Sequence, residues 1–136
     1  MSTVLDAYAL IALLLDEPAA DGVDQIMRGG DAAVTSVNYG EALDRLIRAR
    51  RIPEPRVRAA LEPLLDDPLR RIDVGFAIVE RAVGLRAQHY HRERTPLSLA
   101  DCICMAAAGP EGTVATADEA MLAVAEAEGI RTLRLA

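Results

Sequence analysis

The stretch VLDAYALIALLLDEP, Val4 to Pro18, decides the fold. It opens inside the short β-branched, apolar run TVLD, Thr3–Asp6, and continues as an apolar helical pattern, AYALIALLLDEP, that Pro18 ends. A strand that passes directly into a helix, with a carboxylate at the seam, is the opening unit of an alternating α/β chain.

The same alternation recurs outward from that stretch. AADGVDQIMRGG carries Val23, Ile26 and Met27 at helical spacing and stops at Gly29–Gly30. AAVTS (32–36) reads as a second strand. NYGEALDRLIRARR follows as an amphipathic helix, with Ala42, Leu43, Leu46 and Ile47 on one side and Arg45, Arg48, Arg50 and Arg51 largely on another. IPEP breaks it, and PRVRAALEPLLDD is a short helical segment that Pro63 is placed to kink. LRRIDV (69–74) is a third strand. FAIVERAVGLRAQHYHR is a long helix whose core face is expected to hold Ile78, Val79, Ala82, Val83, Leu85 and Ala87. After the loop ERTPL come an almost wholly apolar helix, SLADCICMAAAG, a fourth strand, GTVAT, a helix, ADEAMLAVAEAEG, and a fifth strand, IRTLRL. This order predicts one domain, residues 1–136, of α/β class: three layers, α/β/α, around a central, mostly parallel five-stranded sheet.

Composition narrows the function. The net charge of −6 argues against a protein that coats polyanions nonspecifically, but not against a nucleic-acid enzyme with an acidic, metal-holding centre. All 15 cations are arginine; without lysine there is no Schiff-base chemistry and no P-loop. Cys102 and Cys104, two apart on a helix, suit neither a disulfide nor a thiolate pair and read as small apolar residues in a reducing compartment. The apolar run Ala7–Leu15 is far too short to cross a bilayer, and the N-terminus lacks a basic n-region, so the expected location is the cytoplasm, with no membrane partner.

Four acids stand at junctions that lead into helices: Asp6 after the first strand, Glu41 in what reads as the first turn after the second, Asp101 at the start of the apolar helix, and Asp118 after the fourth strand. In a parallel α/β sheet, ligands bind outside the carboxyl ends of the strands. If the strand order gathers these junctions, the carboxylates share one crevice. Two of them about 4 Å apart repel by about 4 kcal/mol at an effective dielectric near 20, and a divalent cation relieves this. An all-oxygen set favours Mg²⁺ or Mn²⁺ over zinc, and such a centre suits hydrolysis of a phosphodiester. Helix capping is the competing explanation for each acid taken singly: Ser98–Asp101 and Thr116–Glu119 fit capping boxes, Asn38–Glu41 a weaker one, and Asp6 an N-cap. Capping explains less well why Asp6 and Asp101 lie among apolar neighbours with no cation beside them. His89 and His91 lack the i, i+4 spacing of a helical metal pair and read as surface or structural residues. Arg45, Arg48, Arg50 and Arg51, and the loop pair Arg92 and Arg94, fit either phosphate binding or solvated ion pairs such as Glu41–Arg45 and Asp44–Arg48. A dehalogenase-like phosphatase is disfavoured because Tyr8 stands where a second Asp is needed. A receiver domain is disfavoured by the absence of lysine.

Taken in order, VLDAYALIALLLDEP, TSVNYGEAL (35–43), LSLADCICMAAA (97–108) and VATADEAM (114–121) resemble the PIN-domain ribonucleases, and more closely the VapC-type toxins of bacterial toxin–antitoxin pairs. Order, spacing and length agree over essentially the whole chain. The resemblance implies a PIN-like fold and a Mg²⁺- or Mn²⁺-dependent endoribonuclease acting on an RNA substrate. It assigns the metal site to Asp6, Glu41, Asp101 and Asp118, with Thr116 as a polar helper and Ser36 and Asn38 as weaker ones. It also implies a homodimer and a cognate antitoxin protein that covers the active site. A PIN-like interaction module without catalysis is the alternative.

Overall fold

In the computed structural model, which describes residues 1–136, the seam at Asp6 is the turn between β1 (Thr3–Leu5) and α1 (Ala7–Leu15). The chain continues through α2 (Ala20–Arg28), β2 (Ala32–Thr35) and α3 (Ser36–Asp44), which runs on as a π-helical turn over Arg45–Ala49. Next come α4 (Glu54–Leu61) with a 3₁₀ turn over Glu62–Leu64, β3 (Arg70–Ile72), α5 (Phe76–His89), α6 (Leu99–Ala108), β4 (Thr113–Thr116), α7 (Glu119–Ala127) and β5 (Arg131–Arg134).

The five strands form one sheet in the order β3-β2-β1-β4-β5, and every neighbouring pair is parallel. From β1 the chain first builds outward through β2 to β3. It then returns by α5 and α6 to place β4 on the other side of β1. The strand order therefore reverses between β1 and β4, which is where a doubly wound sheet opens a crevice at its carboxyl edge.

Alternation along the central strands divides the core between two faces. Leu5, Val34 and Ala115 pack with α1, α2, α3 and α4, among them Leu10, Val23, Leu46, Val57 and Leu61. Val4 and Val114 point the other way, onto Cys102, Met105 and Ile103 of α6, Ala82 of α5 and Met121 of α7. This is the period-two pattern of a strand covered on both sides. The outer strands are different: Arg70 and Arg71 in β3, and all of β5, are exposed. Arginines on both edges discourage pairing with a stray strand.

Several local expectations change. α4 ends at Leu61, and Pro63 sits in a 3₁₀ turn that follows it, so proline terminates the helix instead of kinking it. β3 is shorter than LRRIDV, and α5 stops at His89, where Tyr90 turns extended. Val83 and Ala87, expected in the core, are exposed; α5 buries only Ala82 fully. No helix is long and apolar enough to cross a membrane.

Candidate active site

Asp6 ends β1 and caps α1. Its Oδ1 accepts the Ala9 backbone N–H at 2.9 Å, and its Oδ2 accepts the Thr116 hydroxyl at 2.5 Å. Thr116, at the end of β4, is fully buried; its oxygen also accepts the Asp118 N–H at 3.1 Å. One hydroxyl thus ties the first strand to the fourth across the switch point. Asp6 is only 6% exposed, and no cation is paired with it. Burial pushes its carboxyl up to about 6; the Thr116 and Ala9 hydrogen bonds oppose this, and the charges of Asp101 and Asp118 add to it.

Asp101 is the third residue of α6. Its N–H donates to Ser98 Oγ at 3.0 Å, and its Oδ2 accepts the Ser98 N–H at 2.9 Å, a complete capping box. Burial raises its pKa, the Ser98 bonds oppose the rise, and Asp118 reinforces it. Asp118 caps α7, its Oδ1 accepting from Ala120 and Met121 at 2.8 and 3.1 Å. Glu41 lies in the second turn of α3, not the first, because the helix starts at Ser36 with Thr35 as its cap. Its carboxylate is 3.4 Å from Arg45. Burial pushes its pKa up, Arg45 opposes the rise, and Asp101 adds to it.

All four acids line one open cavity of about 630 Å³, together with Tyr8, Arg45, Arg86, Tyr90 and Ser98. Capping and convergence are therefore not alternatives here. Three of the acids cap a helix or complete a cap, and helix starts at the carboxyl edge are what bring them together. Two of the expected capping boxes do not form. Thr116 turns to Asp6 and leaves Asp118 to cap α7, and Thr35, not Asn38, caps α3.

The donors are all oxygen, carry like charge and face one solvent-open space, which fits a hard divalent cation in charge and chemistry. They are gathered but not closed. No three His, Cys, Asp or Glu side chains form a ready-made metal cage; Asp6, Asp101 and Asp118 each give an oxygen to a cap, and Glu41 leans to Arg45.

The weaker helpers lie outside the cavity wall. Ser36 Oγ accepts the Val74 N–H at 3.2 Å. Asn38, buried, accepts the Thr35 hydroxyl at 2.5 Å and donates from Nδ2 to the Ala100 carbonyl at 3.1 Å, tying α3 to α6. His89 meets Glu128 at 2.8 Å, His91 Nδ1 accepts two N–H groups of its own loop, and neither lines the cavity. Cys102 and Cys104 are buried and unpaired. Of the arginines singled out in the sequence, only Arg45 reaches the wall; Arg48 pairs with Asp44 and Arg50 with Glu17, and Arg92 and Arg94 stay outside. Sequence reasoning passed over Arg86. Its one signal is a cation embedded in the apolar pattern of α5, directly after Leu85.

The sequence model of the PIN domain matches residues 3–127. The chain belongs to the PIN-domain family. This PIN domain shares its fold with a chain of a toxin–antitoxin complex from Klebsiella pneumoniae (TM-score 0.60, 22% identity, 86% of this chain and 87% of that one). A chain of the DNA-bound VapBC of Salmonella typhimurium agrees at TM-score 0.72, with 17% identity and 98% of each chain covered. A chain of VapBC2 of Rickettsia felis, bound to a fragment of its promoter DNA, agrees at 0.74, with 11% identity over the whole of both. No curated protein matches the sequence significantly.

Proposed function

We propose that this PIN domain is a VapC-type toxin, a Mg²⁺- or Mn²⁺-dependent endoribonuclease of the cytoplasm, neutralised by a cognate antitoxin. The observation that carries the reading is the convergence of Asp6, Glu41, Asp101 and Asp118, from four separate segments, on one cavity at the strand-order reversal. Family membership supports nuclease chemistry. The toxin–antitoxin complexes that share the fold support an antitoxin as protein partner.

Asp6, Asp101, Glu41 and Asp118 are the residues that would hold the ion. When bound, a divalent cation supplies a stronger water nucleophile and charge neutralisation at the phosphodiester. The chain's own residues prepare the site. Thr116 fixes Asp6 by donating to Oδ2, and Ser98 fixes Asp101 by donating to its Oδ2. Asp6 keeps its proton in mild acid and releases it above about pH 6, so the cavity gains negative charge and cation affinity through that range. A second copy of the chain is the further partner. Phe76 and Val83, seven residues apart on α5 and 89% and 51% exposed, form an apolar stripe for it to cover.

The test is cleavage of total RNA by the purified protein in Mn²⁺ or Mg²⁺. Cleavage is expected, EDTA should stop it, and Asp6→Asn or Asp101→Asn should lower it at least a hundredfold while the protein stays folded. Mn²⁺ should raise the melting temperature of the parent and not of Asp6→Asn. Robust folding with neither cleavage nor a metal-dependent shift would leave a non-catalytic module as the reading.

A further inference from the structure

The nuclease reading gives roles to the cavity's acids but none to its second arginine. Two cations line the wall. Arg45 is neutralised by Glu41, one helical turn away. Arg86 has no carboxylate within ion-pair distance, in a chain with 21 acidic residues and a net charge of −6. It is nonetheless held in place. Its Nε donates to the Leu97 carbonyl at 2.8 Å, and its guanidinium carbon lies 4.3 Å from the centre of the Tyr90 ring. Leu97 immediately precedes the Ser98–Asp101 capping box. The anchors on Nε and on the guanidinium face fix the plane of the group. Nη1 and Nη2 have no protein partner.

A half-buried, oriented guanidinium with both terminal amino groups free is built for an anion that supplies two oxygens side by side. That anion does not come from the protein. Resting on the proposed nuclease function, we infer that Arg86 is the phosphate clamp of the site: it binds, through Nη1 and Nη2, the non-bridging oxygens of a phosphate of the RNA strand held across the cavity. Arg86 is then the residue that draws a polyanion onto a wall carrying four carboxylates, with the Tyr90 ring setting the orientation of the guanidinium plane. The clamp reads backbone and not base, so it adds affinity and register without sequence preference.

The experiment measures binding of a fluorescein-labelled, mixed-sequence single-stranded RNA of about twelve nucleotides, with Ca²⁺ in place of Mg²⁺, across about 50 to 200 mM salt. Arg86→Gln removes the charge and keeps a donor for the Leu97 carbonyl. It should weaken binding about tenfold or more and reduce the slope of log affinity against log salt by about 0.7, the loss of one phosphate contact on a single strand. Its Mn²⁺-induced thermal shift should persist or grow, because a cation has left the neighbourhood of the acids. Arg86→Lys should restore the salt slope but not the full affinity, because an ammonium lacks the fork; this variant decides the matter if Arg86→Gln folds poorly. Arg45→Gln should change the slope less. Unchanged affinity and slope in Arg86→Gln, with the Mn²⁺ shift and RNA cleavage intact, overturns the clamp alone. Loss of the Mn²⁺ shift in both Arg86 variants makes the residue a brace for the loop before α6 and also overturns it. A parent protein that neither binds RNA nor responds to Mn²⁺ overturns the nuclease reading and the clamp with it.

Discussion

Asp6 is an acid placed where ionising is costly. Its folded-state pKa of about 6 stands against an ordinary 3.8. Between those values the folded protein keeps a proton that the unfolded chain has released, so stability falls as pH rises through this window and levels off above it. The whole effect is on the order of 3 kcal/mol, and the raised pKa values of Glu41 and Asp101 act in the same direction. Urea melts in EDTA at pH 4, 5, 6 and 7 should therefore show a decline in the parent that is much reduced in Asp6→Asn. Thr116→Val removes the hydroxyl that favours the ionised form, so it should carry the decline to higher pH. If these acids hold the ion as proposed, Mn²⁺ would favour their charged state and should restore most of the lost stability at pH 7 while doing little at pH 4. A flat parent profile between pH 4 and 7 would contradict this account of Asp6.

At the scale of elements, the site depends on how α3 and α6 are held together, and this was only partly visible in the sequence. The junction acids were legible because strand ends, helix starts and capping residues leave local signatures, as at Asp6 and at Ser98–Asp101. What Asn38 does was not legible: its bond to Ala100 links residues 62 apart, and nothing in NYGEAL announces it. The same limit hid the partner of Thr116: its local pattern suits a cap, but its hydroxyl is taken by an acid 110 residues away, at the site where the family resemblance put it. The bond from Asn38 gives a prediction. Asn38→Ala removes the tie between the helix carrying Glu41 and the helix carrying Asp101, and leaves the Ala100 carbonyl and the Thr35 hydroxyl each short of a partner. It should cost about 1–3 kcal/mol and weaken Mn²⁺ binding several-fold, read from thermal melts with and without the ion. Asn38→Asp should be worse than Asn38→Ala. It cannot donate to Ala100, and it adds a buried negative charge where burial already penalises its neighbours.

Across the whole molecule, the sequence left the strand order and its reversal point open, but the five-stranded parallel sheet followed from the alternation of strands and helices. Which side of α5 meets the core did not. Apolar residues surround that helix, at 77–79, 82, 83, 85 and 87, so periodicity alone cannot choose the buried stripe. The fold turns Ala82 inward and leaves Phe76 and Val83 in solvent, with Leu99 of α6 exposed beside the lower end of the same helix. A Phe left almost wholly exposed forgoes about 1.5–3 kcal/mol of burial, and the stripe lies on a helix that also supplies Arg86 and reaches Tyr90 at the cavity. A homodimer formed through α5 would cover the stripe. Light scattering behind a sizing column should then give a dimer for the parent protein. Val83→Glu, at an exposed position that the monomer's core does not use, should raise the dimer dissociation constant at least about tenfold with little change in the monomer's melting behaviour. A parent that runs as a monomer at high micromolar concentration would remove the dimer and leave the stripe for the antitoxin.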